Sequence, residues 1–240
     1  FFEGGGWCYT EADCEARSKG DSGGSSGYKP TMDVATMGIF STDPALSPDF
    51  AGANHVYMKY CDGNSFTGDR DTPVKTATGA TLHFRGRRIL DAVLETLATD
   101  SFGLSRATDV LLSGCSAGGL SAILHADAIG DSLATRIAPA TLRRFKVVPD
   151  SGFFLDSPNA EALEVFGPQM KAAFELANAT GGLNAACVAK HVSSGDIWKC
   201  NMAQYLLRPT INYSESCWDS TSGHDNHRQA MSSHRSSCWE

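Results

Sequence analysis

No apolar run in this sequence approaches the roughly 20 residues that a membrane-spanning helix needs, so a spanning segment is excluded and no membrane partner is expected. Basic charge is scarce as well: 20 Lys and Arg stand against 27 Asp and Glu, for a net charge of −7. The basic clusters are confined to Arg85-Gly86-Arg87-Arg88 and Arg143-Arg144, which read as solvated faces, and no nucleic-acid partner is expected. There is no internal repeat and no paired Cys-x-x-Cys of the kind that builds a zinc site, so no metal is expected. An initiator methionine and a signal-like segment are missing too, and the chain reads as a piece truncated at both ends.

What is present is 42% apolar residues over 240 positions, enough for one substantial core and a single domain over 1–240. Eight cysteines, an even and widely spaced set, point to disulfides and an oxidising compartment, hence to a secreted, extracellular or cell-wall protein. The acceptor sequons Asn178-Ala179-Thr180 and Asn212-Tyr213-Ser214 fit a glycoprotein on that route.

Strand and helix signals alternate along the chain. "FFE" reads as the end of a buried strand, 18–30 as a Gly- and Ser-rich loop, "ANHVYMKYCDG" as a strand and "TLHFRG" as another. "RRILDAVLETLATD" follows, placing Ile89, Leu90, Val93, Leu94 and Leu97 on one helical face. "RRFKVVPDSGFFLD" predicts a further strand, 160–182 a helix stopped by paired glycines, and "LLRPTINYS" a late strand. Such alternation predicts an α/β fold with a mostly parallel sheet and helices on both faces, its functional loops at the carboxyl ends of the strands. Ser116, Cys61-Asp62 and Gly4-Gly5-Gly6 all fall at such ends.

The stretch "DVLLSGCSAGGLSAILHAD" reads as strand, sharp turn and helix, with Ser116 at the apex and Gly114 and Gly118 two positions either side. A turn that tight needs bulk-free neighbours, and it sets the apex hydroxyl at a helix amino end that favours negative charge. This is the seat of a serine nucleophile. An esterase also needs amide donors for its oxyanion, and the glycine-rich loop after the first strand has the form that supplies them. Gly5, Gly6 and Ala117 are the nominated donors.

The blocks "FFEGGGWC" with Cys14 at a C-x5-C spacing, "MKYCDGNSFTGD", "LHFRGRRILDAVLE", "LLSGCSAGGLSAILHAD" and "DSGFFLD" resemble, in order over about residues 1 to 160, those of the pectin acetylesterase family, which is related to the Notum carboxylesterase. The resemblance implies an α/β-hydrolase-like fold and a Ser-Asp-His triad, with Ser116 as nucleophile and Gly5, Gly6 and Ala117 as the oxyanion hole. It implies a serine carboxylesterase acting on an acetylated polysaccharide such as pectin, and the wording "GCSAGG" and "YCDG" is nearer the plant and protist types. A Notum-like deacylase of a lipidated protein and a non-catalytic carbohydrate-binding relative are the alternatives.

Beyond residue 160 the likeness weakens. The family's acid maps onto Asp219 in Trp218-Asp219-Ser220, with Asp225 as fallback. Its base would follow Glu240; His224, His227 and His234 are weak candidates, while His55, His83 and His125 read as packing residues. No cofactor is needed, and Asp62 and Asp69 read as turn-stabilising, since their spacing does not fit an EF-hand loop. A monomer is expected. Cys8 and Cys14 flank a segment short enough for a disulfide, and Cys187 and Cys200 bracket a second.

Overall fold

The computed structural model describes residues 1–206. Two strands form its parallel core: β3, Asp109–Cys115, and β4, Arg144–Asp150, paired in register from Asp109 with Arg144 to Cys115 with Asp150. The opening strand shrinks to a single bridge at Phe2, which pairs in parallel with Met58 on one side and Gly114 on the other. Phe2 nevertheless anchors the sheet: its amide donates to the Ser113 carbonyl at 2.8 Å, and its side chain is 1% exposed. Burying such a ring contributes about 2 kcal/mol.

The "TLHFRG" stretch departs from the expectation of a strand in that sheet. Thr81–Leu82 (β2) pairs antiparallel with Val74–Lys75 (β1) as a separate hairpin, because Thr76 Oγ1 and the Thr76 backbone close the intervening turn onto Ala80 and Gly79.

Four helices frame the site. The first, α1 (Glu11–Ser18), is capped by Thr10, whose hydroxyl accepts from the Asp13 amide at 3.1 Å. Next, α2 (Gly86–Leu97) buries Leu90 and Leu94 and packs Ile89 and Val93 against the core, the face its periodicity predicts. The long helix α3 (Ala117–Arg136) is buried through most of its first half and packs on β3 and β4. The fourth, α4 (Phe166–Ala177), begins six residues later than the sequence suggests. The reason is local: the Asn159 carboxamide accepts from the amides of Glu161 and Leu163, each at 3.0 Å, and folds 159–163 into a turn that competes with helix. Asn178, left-handed at φ 49°, ends α4, and Ala185–His191 (α5) and Ala203–Leu206 (α6) follow. None of the described helices is long and apolar enough to cross a membrane. Most of the predicted strand "LLRPTINYS" lies outside the described residues, and its first residue, Leu206, ends α6.

Both short-range disulfides are formed. Cys8 joins Cys14 with Cα atoms 5.1 Å apart, and Cys187 joins Cys200 at 5.8 Å. The sulfurs of the second lie near His191, but both are committed to the bond and are not free to ligate a metal.

Candidate active site

Ser116 sits where β3 turns into α3, at φ 58° and ψ −124°, a left-handed backbone that a non-glycine residue adopts only under strain. It occupies the N-cap position, yet its side chain makes no capping bond. The hydroxyl is therefore not spent on the helix, as it is in an ordinary capping serine. The strain is held from several directions: the Ser116 amide donates to Asp150 O at 2.9 Å, and Leu120 donates to Ser116 O at 3.0 Å.

The flanking glycines are explained by what surrounds them. A Cβ on Gly118 would stand 2.6 Å from the Glu3 carbonyl oxygen and closer still to that of Phe2, so α3 and the opening segment can meet only backbone to backbone. A Cβ on Gly119 would stand 2.5 Å from Asp150 O and 2.8 Å from the Gly152 Cα. That close crossing, invisible in the motif alone, accounts for Gly152 just past the end of β4.

The opening loop lies against the elbow. A Cβ on Gly4 would meet the Ser116 Cβ at 3.1 Å. Gly6, at φ 70°, has nothing within 4 Å of its Cβ position and so borders open space. The Gly5 carbonyl accepts from Arg17, and the Gly6 carbonyl accepts from the Tyr60 hydroxyl at 2.7 Å. A trans peptide turns its N–H away from its C=O, so the amides of Gly6 and Trp7 point away from those two side chains. Gly5, Gly6 and Ala117 are the donors that the sequence nominates; the Trp7 amide, whose direction follows from the partner of the Gly6 carbonyl, is a further candidate that the sequence does not single out. Ala117 opens α3, where the first amides have no intrahelical acceptor.

Cys115 precedes Ser116, but burial and the Asp150 carboxylate push its thiol up from the ordinary 9.0, so at neutral pH it is protonated and a poor nucleophile. Asp62 organises a buried loop, as its reading as a turn residue requires: its carboxylate accepts from the amides of Asn64, Phe66 and Gly68 at 3.0 to 3.2 Å. Asp69 instead pairs with Arg88 at 2.6 Å. Trp7, half-buried, packs edge-on against Phe154 with ring centroids 4.8 Å apart, and Phe166 lies 5.7 Å from Trp7.

Among the described residues no histidine hydrogen-bonds Ser116. His125 is buried in α3 with Nε2 donating to Ser65 O at 3.0 Å, and burial lowers its pKa to about 4, so it is a packing residue. His55 bonds Phe50 O, whereas His83 is exposed and is not the packing residue that the sequence suggests. Asp219, Asp225, His224, His227 and His234 lie outside the described residues.

A family model described as Pectinacetylesterase matches residues 1–225. Pectin acetylesterase 5 of Arabidopsis thaliana is 37% identical over 211 residues, covering 86% of this chain and 44% of that protein. The palmitoleoyl-protein carboxylesterase NOTUM of Drosophila melanogaster is 30% identical over 213 residues, covering 87% of this chain and 30% of that protein. The solved structure of the Wnt deacylase Notum from Drosophila aligns with a TM-score of 0.72 and 29% identity, over 88% of this chain and 58% of that one. The fold is thus α/β-hydrolase-like, and the chain spans less than half the length of the curated relatives it matches, 44% and 47% for the Arabidopsis pectin acetylesterases 5 and 4. With the elbow at Ser116 and the glycine loop beside it, the matched span establishes that the chain belongs to the pectinacetylesterase family.

Proposed function

We propose that this chain carries the nucleophile and oxyanion loop of a secreted serine carboxylesterase that removes acetyl groups from a cell-wall polysaccharide such as pectin. The observation that carries the reading is Ser116: strained, uncapped, at a helix amino end and against the Gly4 backbone. In this reading Ser116 Oγ attacks the acetyl carbonyl while a histidine takes its proton and Asp219 fixes that histidine's tautomer. The amides of Gly5, Gly6 and Ala117, joined by that of Trp7, hold the oxyanion, and the histidine returns the proton to the departing sugar hydroxyl. Water then attacks the acetyl-enzyme, releasing acetate and restoring Ser116. No step calls for a cofactor.

Two disulfides and the exposed sequon at Asn178, on the left-handed cap of α4, support the extracellular route and an N-linked glycan there. One observation favours a second reading. The Trp7, Phe154 and Phe166 rings pack on one another directly after the glycine loop, an apolar cluster that would suit a longer acyl chain. Hydrolysis of p-nitrophenyl acetate and octanoate by the full-length protein separates the two. A higher kcat/KM on acetate is expected; a preference for octanoate would transfer the assignment to deacylation of lipidated substrates.

A further inference from the structure

The carbonyl edge of the glycine loop is gripped by two side chains, Arg17 and Tyr60, and a third, Ser65, links Trp7 to α3; none of the three takes part in the chemistry just described. Arg17, in the last turn of α1, lies over the Tyr60 ring with its guanidinium carbon 5.7 Å from the centroid. Its Nη2 donates to the carbonyl oxygens of Gly5 and Gly6, and its Nε donates to Ser22 O at 3.1 Å. Tyr60 is fully buried; its hydroxyl donates to Gly6 O at 2.7 Å and accepts from the Ser65 amide at 2.9 Å. Ser65, also buried, closes the circuit: Oγ accepts from the Trp7 indole Nε1 at 2.7 Å and donates to Ala117 O at 2.9 Å. Burial pushes the Tyr60 phenol up, so it remains a donor at every physiological pH.

We propose that Arg17, Tyr60 and Ser65 are positioning residues that aim the oxyanion-binding amides. Arg17 and Tyr60 draw back the carbonyls of the Gly5–Gly6 and Gly6–Trp7 peptides, and planarity turns the N–H groups of Gly6 and Trp7 out on the opposite side. Ser65 ties the same loop to Ala117, so the two halves of the hole move as one body. Glycines whose backbone is otherwise permissive gain a fixed direction only from such ties, and an oxyanion hole stabilises charge only if its dipoles are already oriented. The inference rests on the serine-esterase reading of Ser116.

The test is steady-state hydrolysis of p-nitrophenyl acetate by the full-length protein, with kcat expressed per active serine titrated by a fluorophosphonate, so that misfolded material is not counted. Arg17→Ala should lower kcat by about 10- to 100-fold, less than deletion of a whole oxyanion donor, with KM changed by less than about twofold. Added guanidinium at millimolar concentration should recover part of that loss, because Arg17 is half-exposed and leaves a space of guanidinium shape. Tyr60→Phe should shift kcat in the same direction without rescue. Arg17→Lys keeps the charge but not the two-armed donor, and should remain closer to the alanine variant than to wild type. Wild-type kcat per titrated serine in Arg17→Ala, a loss seen only in melting temperature, or full recovery in Arg17→Lys would overturn the proposal. Ser116→Ala run alongside should abolish hydrolysis; if it does not, the esterase reading fails and takes this proposal with it.

Discussion

Gly118 and Gly6 are glycines for opposite reasons, and substitution tells them apart. At Gly118 a methyl group meets fixed backbone, so Gly118→Ala should destabilise the fold by about 3 kcal/mol or more, read as a fall in the urea midpoint. At Gly6 the space is open and only the left-handed φ of 70° opposes a side chain, so Gly6→Ala should cost about 1 kcal/mol of stability. His125 carries a pH signature. Below its usual pKa of 6.5 the unfolded chain takes up a proton that the folded ring, held near 4 by burial, refuses. Stability is therefore lost as pH falls from about 6.5 towards 4, by as much as about 3 kcal/mol, and is unaffected by this group above that window. His125→Gln, which keeps a donor for Ser65 O, should show a shallower fall in urea midpoint between pH 7 and pH 4.5 than wild type. At this scale the sequence reveals Ser116 because its glycines are its neighbours. It hides Ser65, whose partners Trp7 and Ala117 lie 58 and 52 residues away.

The strand, elbow and helix around Ser116 were legible because three local signals agree: an apolar run, glycines two positions either side of the serine, and a renewed apolar periodicity. Two helices were not read correctly, and the predicted strand "ANHVYMKYCDG" is reduced to a bridge at Met58. The capped helix α1 follows Thr10 with Asp13 three residues on, a start signal obscured by the charged run "EADCEAR". The start of α4 is displaced because Asn159 captures amides that helix would have used. Cys14 and Arg17 share α1, so the Cys8–Cys14 bond ties the same helix that carries the Gly5 contact. Replacing both cysteines by serine should lower stability by about 2 kcal/mol and, beyond that, reduce kcat on p-nitrophenyl acetate at temperatures where the variant remains folded. A double-serine variant with unchanged kcat would separate the staple from the site.

Across the whole molecule the site is braced by parts of the chain far apart in sequence. Asn201, next to Cys200 of the second disulfide, donates from Nδ2 to Asn64 Oδ1 at 2.9 Å and accepts from Thr67 Oγ1 at 3.1 Å, filling the buried loop that Asp62 organises. Fold class was readable from the alternation of elements, whereas this bracing was not, because buried polar pairs carry no periodicity. The proposed chemistry depends on Ser116 above all, and covalent labelling addresses that residue directly. The full-length protein, treated with a fluorophosphonate and digested, should carry the phosphonyl group on the peptide containing Ser116 at close to one per molecule, and Ser116→Ala should carry none while retaining the wild-type circular dichroism spectrum. Unlabelled wild type that nevertheless hydrolyses acetyl esters, or a label recovered on another residue, would contradict it.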